Sequence, residues 1–195
     1  MPSYGLVIRT ELCTGCQACS VACKMENLTL PGCDRNRITE QPHSLWSVEL
    51  CMHCEQPPCV PVCPADATWK NDSGITVVDQ TACIGCGQCV EACPYTARHL
   101  NPEKGYFEEP LPYEKAALSS HAAHRIHVAN KADKCDFCLH LIEKGSDPMC
   151  VEACTTSALI FGDLDDPSSP IRSLVDRGAR PMKPELGTRP RVFYL

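Results

Sequence analysis

Sixteen of the 17 cysteines in this 195-residue chain fall into four groups of four, and their spacing limits what the chain can fold around. The first group is Cys13, Cys16, Cys19 and Cys23, spaced C-x2-C-x2-C-x3-C. The second, Cys51, Cys54, Cys59 and Cys63, is spaced C-x2-C-x4-C-x3-C and is followed by Pro64. The third, Cys83, Cys86, Cys89 and Cys93, repeats the first spacing and is followed by Pro94. In the fourth, Cys135, Cys138, Cys150 and Cys154, the gap before the third cysteine has widened. Cys33 is left over, after Pro31 and Gly32, and reads as a free thiol without a role.

Three thiolates two residues apart curl a loop around three corners of an iron–sulfur cube. The fourth, one helical turn on, faces away and ligates a second cube, as in two-cluster ferredoxins. Zinc sites instead pair two CxxC halves across about 12 to 20 residues. Only the Cys135 to Cys154 group has that form, so a structural zinc protein is the weaker reading. A disulfide scaffold fits worse still, because the cysteine count is odd and the clusters are tight.

Composition closes other routes. With 44% apolar and 22% charged residues the chain is not a disordered one. A net charge of −6 has the wrong sign for a nucleic-acid binder. No apolar run approaches the roughly 20 residues that cross a bilayer. The opening residues, Met1 to Arg9, lack a basic region, a long apolar stretch and an Arg-Arg pair, so no export signal of its own is expected. No nucleophile–base pair, phosphate loop or paired-carboxylate site stands out, and the chain is not expected to transform a substrate itself.

Because each fourth cysteine needs a partner group, the four groups should form two ferredoxin-like units. The second and third are joined by residues 66–79, read as a helix end, a turn at Asp72-Ser73-Gly74 and a short strand. That makes one unit, with one cluster on Cys51, Cys54, Cys59 and Cys93 and another on Cys83, Cys86, Cys89 and Cys63. The first and fourth groups then pair across the middle of the chain, with one cluster on Cys13, Cys16, Cys19 and Cys154 and another on Cys135, Cys138, Cys150 and Cys23. Tyr4 to Ile8 supplies a leading strand and Ala158 to Gly162 a trailing one.

The expected class is therefore α+β, with one 2[4Fe–4S] unit inserted in another. The boundaries are 1–45 plus 130–164 for the outer unit, 46–100 for the inner, 101–129 for an insert and 165–195 for an extended, proline-rich C-terminal tail. Units this small lack a sufficient apolar core, so metal-free chain should be largely unfolded.

The runs Cys51-Met52-His53-Cys54-Glu55-Gln56-Pro57-Pro58-Cys59 and Cys83-Ile84-Gly85-Cys86-Gly87-Gln88-Cys89 resemble the iron–sulfur subunits of the dimethyl sulfoxide reductase family of molybdenum and tungsten enzymes. Ala22 to Asn27 and the ending Gly187 to Leu195 are most similar to the four-cluster subunit of polysulfide and thiosulfate reductases. The resemblance implies a wire. Electrons would pass between a large bis-pterin catalytic subunit and a quinone-reactive membrane subunit or a soluble partner. The cluster with Cys13 would be nearest the catalytic subunit and the cluster with Cys83 farthest. Some relatives carry Trp at the position of Cys86 and a three-iron cluster there; with Cys86 present, four [4Fe–4S] clusters are expected. The resemblance implies the outer face of the membrane if a partner carries the chain across, and the cytoplasm otherwise.

The link from Cys23 to Cys51 is shorter than in polysulfide reductases and that from Cys93 to Cys135 longer. Small subunits of soluble aromatic hydroxylases and transhydroxylases are thus an alternative, as is a free polyferredoxin or, in another class, an iron–sulfur sensor. Three further features bear on the sites. Lys24 is a surface charge or a tuner of the nearest cluster. His53 is a hydrogen-bond donor to a cluster sulfur rather than a ligand. His121, His124 and His127 lie on a solvated helix of the insert.

Overall fold

A computed structural model describes residues 1–30, 32–103 and 128–195. Ten strands are present there: β1 Tyr4–Ile8, β2 Asn36–Gln41, β3 Leu45–Leu50, β4 Thr68–Lys70, β5 Thr76–Val78, β6 His99–Leu100, β7 Ala132–Asp133, β8 Leu159–Asp163, β9 Arg180–Pro181 and β10 Val192–Tyr194. The longest helix, α1, spans Ala18–Asn27. Short helical turns at Gln88–Glu91, Leu139–Ile142 and Met149–Glu152 follow CxxC loops or carry their third cysteine. Strands and helices mix as expected of an α+β ferredoxin-like chain. The histidines at 121, 124 and 127 lie outside the described residues.

The main sheet runs β8-β1-β10-β9. β1 pairs antiparallel with β8 in the register Ile8 to Leu159, and parallel with β10 in the register Leu6 to Val192. β1 is apolar at successive positions because both its faces are covered. Leu6 and Ile8 pack into a core with Val48, Met52 and Phe137. Val7 points the other way, onto Ile171, Leu174 and Ala179.

Two expectations need correction. Residues 165–195 are not an extended tail. They form a helix at Pro170–Asp176, then β9 and β10, and Val192 is fully buried. An isolated three-residue strand is unstable, and Val192, Phe193 and Tyr194 are strand only because β1 waits for them. The tail also ties down the second cysteine group: Glu55 and Gln56 donate to the carbonyls of Arg189 and Thr188 at 2.8 and 3.0 Å, and Arg191 donates to that of Met52 at 2.9 Å.

The second correction is the 66–79 connector. It has no helix end, but is a hairpin in which β4 pairs with β5, Trp69 opposite Val77, around the predicted turn. Asn71 makes that turn, its side chain accepting from the backbone of Ser73 and Ile75. β6 and β7 are paired, and Asn101 donates to the Lys131 carbonyl at 2.8 Å, so the chain leaves and re-enters at one place around the 101–129 segment.

Candidate metal centres

Each CxxC loop needs a sharp reversal to aim two thiols inward, and one position supplies it in all four. The residue before the second cysteine is left-handed throughout: Gly15 at φ 70°, His53 at 43°, Gly85 at 74° and Phe137 at 56°. Gly15 and Gly85 also have no room for a Cβ, which would strike Trp46 and the Asn130 carbonyl respectively. The other two loops pay the left-handed cost for a ring.

A second repeat follows the fourth cysteines. Asp66, Thr96 and Ser157, each three residues beyond Cys63, Cys93 or Cys154, are left-handed and donate to that cysteine's carbonyl at 3.3, 3.2 and 3.1 Å. Thr155 sits in the same turn as Pro64 and Pro94, so its departure from proline leaves this bond in place. One residue on, Ala67 and Ala158 donate N–H to the sulfurs of Cys63 and Cys154 at 3.3 and 3.2 Å. Gly85 and Phe137 do the same for Cys83 and Cys135, both at 3.4 Å.

Cys13, Cys16, Cys19 and Cys154 line one cleft of about 320 Å³, solvent at its mouth included, walled by Ile38, Val48 and Leu159. Burial first, then Cys13, Cys154 and Cys16, pushes the Cys19 thiol up to about 11. Burial and the neighbouring Cys138 push Cys23 up to about 12, and Cys135 is raised by burial and by Cys23 and Cys150. Burial, with Cys51, Cys59 and Cys93, pushes Cys54 up to about 12. Cys63, Cys83 and Cys89 share a small buried cluster with Ala67 and Ala132. Cys86 is exposed, as is Cys16; the other grouped cysteines are buried or half-buried.

Cys33 is also buried, but its neighbours are Asp133, Lys24 and Asp34 rather than other cysteines. Lys24 forms an ion pair with Asp34.

Crowded buried thiols resist ionising together, so these sites call for a positive centre among them. Buried donors without acceptors point the same way. His53 is fully buried; its Nδ1 accepts from the Thr76 N–H at 3.2 Å, which leaves the proton on Nε2, and Nε2 has no partner among the described residues. Burial, then Lys134, Arg98 and Arg191, holds this imidazole well below its usual pKa and therefore neutral. Arg98 is 4% exposed, and its Nη1 likewise has no partner among the described residues. A sulfur-rich anionic group would accept from both, so the residues present fit an iron–sulfur centre.

Sequence reasoning missed several residues here. Arg35 ties Cys23's helix to the fourth group, bonding Asp133 at 2.8 and 2.9 Å, Asp136 at 3.3 Å and Asn27 at 2.8 Å. Asn27 in turn donates to the sulfurs of Cys23 and Cys138 at 3.5 and 3.7 Å. Its place at i+4 from Cys23 on α1 was a readable signal; the partners of Arg35 and Arg98 were not, being distant in sequence.

The 4Fe-4S dicluster domain family matches residues 43–111 and 109–164, and a 4Fe-4S binding domain matches residues 10–26. The chain is 38% identical over 204 residues to a tetrathionate reductase subunit of Salmonella typhimurium, covering 98% of this chain and 72% of the relative. It is 35% identical over 203 residues to a polysulfide reductase chain of Wolinella succinogenes, covering 98% and 93%. It is also 35% identical over 223 residues to the arsenate respiratory reductase iron-sulfur subunit of a Shewanella species, covering 98% and 95%. Loops that aim buried thiols inward, donors that await a sulfur acceptor and likeness along almost the whole chain converge: this chain therefore belongs to the iron–sulfur electron-transfer subunits of the dimethyl sulfoxide reductase family.

Proposed function

We propose that the chain carries four [4Fe–4S] clusters, on Cys13, Cys16, Cys19 and Cys154; on Cys135, Cys138, Cys150 and Cys23; on Cys51, Cys54, Cys59 and Cys93; and on Cys83, Cys86, Cys89 and Cys63. The observation that carries this is the fourfold left-handed loop, with the cleft that gathers Cys154 beside Cys13, Cys16 and Cys19. The nested order, 46–100 within 1–45 plus 130–164, is supported by β1 pairing with β8 and by the matched bonds at Cys63 and Cys154.

When bound, the clusters supply one-electron steps. The chain's own residues bury seven of the eight cysteines of the middle two, half-bury Cys93, and leave one cysteine of each outer site, Cys16 and Cys86, exposed. A wire needs this arrangement: insulated inside, open at two ends. The end at Cys16 would meet a molybdenum or tungsten bis-pterin catalytic subunit. The end at Cys86 would meet a quinone-reactive membrane subunit or a soluble carrier. Among the described residues no helix is long and apolar enough to cross a membrane, which fits an anchor held by a partner. The compartment follows the partner: the outer face in a polysulfide-reductase-like complex, the cytoplasm in a soluble one.

Iron and acid-labile sulfide analysis tests the count, with about 16 iron atoms per chain expected from four cubes. Cys86→Ser tests the assignment. It should turn one cluster, and only the one at the exposed far end, into a three-iron species seen by electron paramagnetic resonance. Zinc without sulfide, or a change in another cluster, would overturn the reading.

A further inference from the structure

The two enclosed sites, at Cys51 to Cys93 and at Cys135 to Cys23, are counterparts. Each has a ring at the left-handed position of its CxxC loop, and the two rings meet. Their surroundings differ in charge. Beside the first lies Arg98, whose Nη2 donates to Thr68 Oγ1 at 2.8 Å and which forms no ion pair among the described residues. Its guanidinium acts first on Cys59 and Cys51 of this site, and then, also through a hydrogen bond, on Cys89 of the neighbouring Cys83 group. Glu55, next to Cys54, is already met by Lys70 and Arg191. Beside the second site Arg35 faces two carboxylates, Asp133 and Asp136, and the side-chain donor to sulfur is the neutral Asn27. Buried Lys134 donates to the carbonyls of Thr76 and Cys135, and its charge adds to that of Arg98 at Cys59.

A buried guanidinium without an anion is costly, and the four-thiolate site is the anion within reach. Reducing a cluster adds one negative charge in a medium that screens poorly, so a neighbouring cation favours reduction and surplus carboxylate opposes it. A side-chain N–H on a sulfur acts in the same direction as the cation, and His53 Nε2 is a buried donor in the Cys51-x-x-Cys54 loop without a partner among the described residues.

We propose that Arg98, assisted by His53, holds the reduction potential of the cluster at Cys51, Cys54, Cys59 and Cys93 above that of its counterpart at Cys135, Cys138, Cys150 and Cys23. An electron then rests on the inner unit rather than at the crossing. The inference depends on the ligand sets given above.

The test is a redox titration of the isolated holoprotein, with its co-purifying subunits, followed by electron paramagnetic resonance. Cys54→Ser and Cys138→Ser identify the two signals. In the unaltered protein the first should reduce at the higher potential. In Arg98→Gln its reduction equilibrium constant should fall at least tenfold, about 59 mV for one electron, with the cluster that holds Cys89 shifted less and the clusters at Cys13 and Cys135 unmoved. Arg98→Lys should restore most of the difference, and His53→Phe should shift the same signal the same way. If Arg98→Gln does not assemble, the last two variants decide. An unchanged midpoint with all clusters present, a larger shift in a different signal, or a counterpart that reduces first would overturn the inference. If Cys54→Ser and Cys138→Ser altered no separate signals, the ligand assignment itself would fall.

Discussion

His53 and Phe137 hold the same place in two different CxxC loops, and their rings stack 3.8 Å apart with an interplanar angle of 25°. Phe161 meets Phe137 edge-on at 5.3 Å, so strand β8 backs the pair. At the other two loops this place is glycine, because Trp46 and the Asn130 carbonyl press against it. The stack therefore marks where the second and fourth cysteine groups touch.

Phe137 is 1% exposed, and Phe137→Ala should cost about 3–5 kcal/mol through the lost ring and the cavity. Its left-handed backbone reverses the usual ranking of small residues. Phe137→Gly should be more stable than Phe137→Ala by about 1 kcal/mol. Thermal unfolding of the loaded protein checks both, and an alanine variant more stable than the glycine one would refute the backbone argument.

Gly85 and Gly145 are both left-handed, at 74° and 79°, but only Gly85 has a neighbour in the way of a side chain. Gly145→Ala should cost about 1 kcal/mol of strain and retain full iron. Gly85→Ala adds a collision with the Asn130 carbonyl and should lose iron at the Cys83 loop. Metal analysis of the two variants side by side decides it.

Arg35 is one partner of a buried network. Arg35→Met leaves Asp133, whose side chain is 6% exposed, without its counter-charge, and should cost about 3–5 kcal/mol. Adding Asp133→Asn should recover part of that loss. A double variant no better than the single, in the same unfolding measurement, would show that charge is not the cause.

Removing residues 191–195 deletes β10 from between β1 and β9, together with the ion pair of Arg191 with Glu55. Such a chain should fail to retain clusters at both the Cys13 and Cys51 loops, read as iron per protein. A surface tail could be cut without that consequence.

Legibility followed distance along the chain. The cysteine groups, β1 and the turn at Asp72-Ser73-Gly74 were readable because each is a local pattern. The trailing strand was placed within one residue. The C-terminal strand was misread because its partner, β1, lies at the other end of the described chain, and proline content suggested an extended tail. β4 was misread because its three residues carry no alternation long enough to show a period. At the sites, a CxxC loop announces its thiols but not the ring that Phe137 lends to another loop, nor the cation that arrives with Arg98.

The placing of β1 has a consequence for biosynthesis. β1 leaves the ribosome early, yet both strands that border it, β8 and β10, are translated after all sixteen grouped cysteines. Until then its two edges stay unpaired, and Cys154, Arg191 and Leu195, which donates to the Ile8 carbonyl, have not arrived. Cys154 and Leu159 are thus the last part of the cleft at Cys13 to be translated, and the pairing of β8 with β1 is the step that completes its wall.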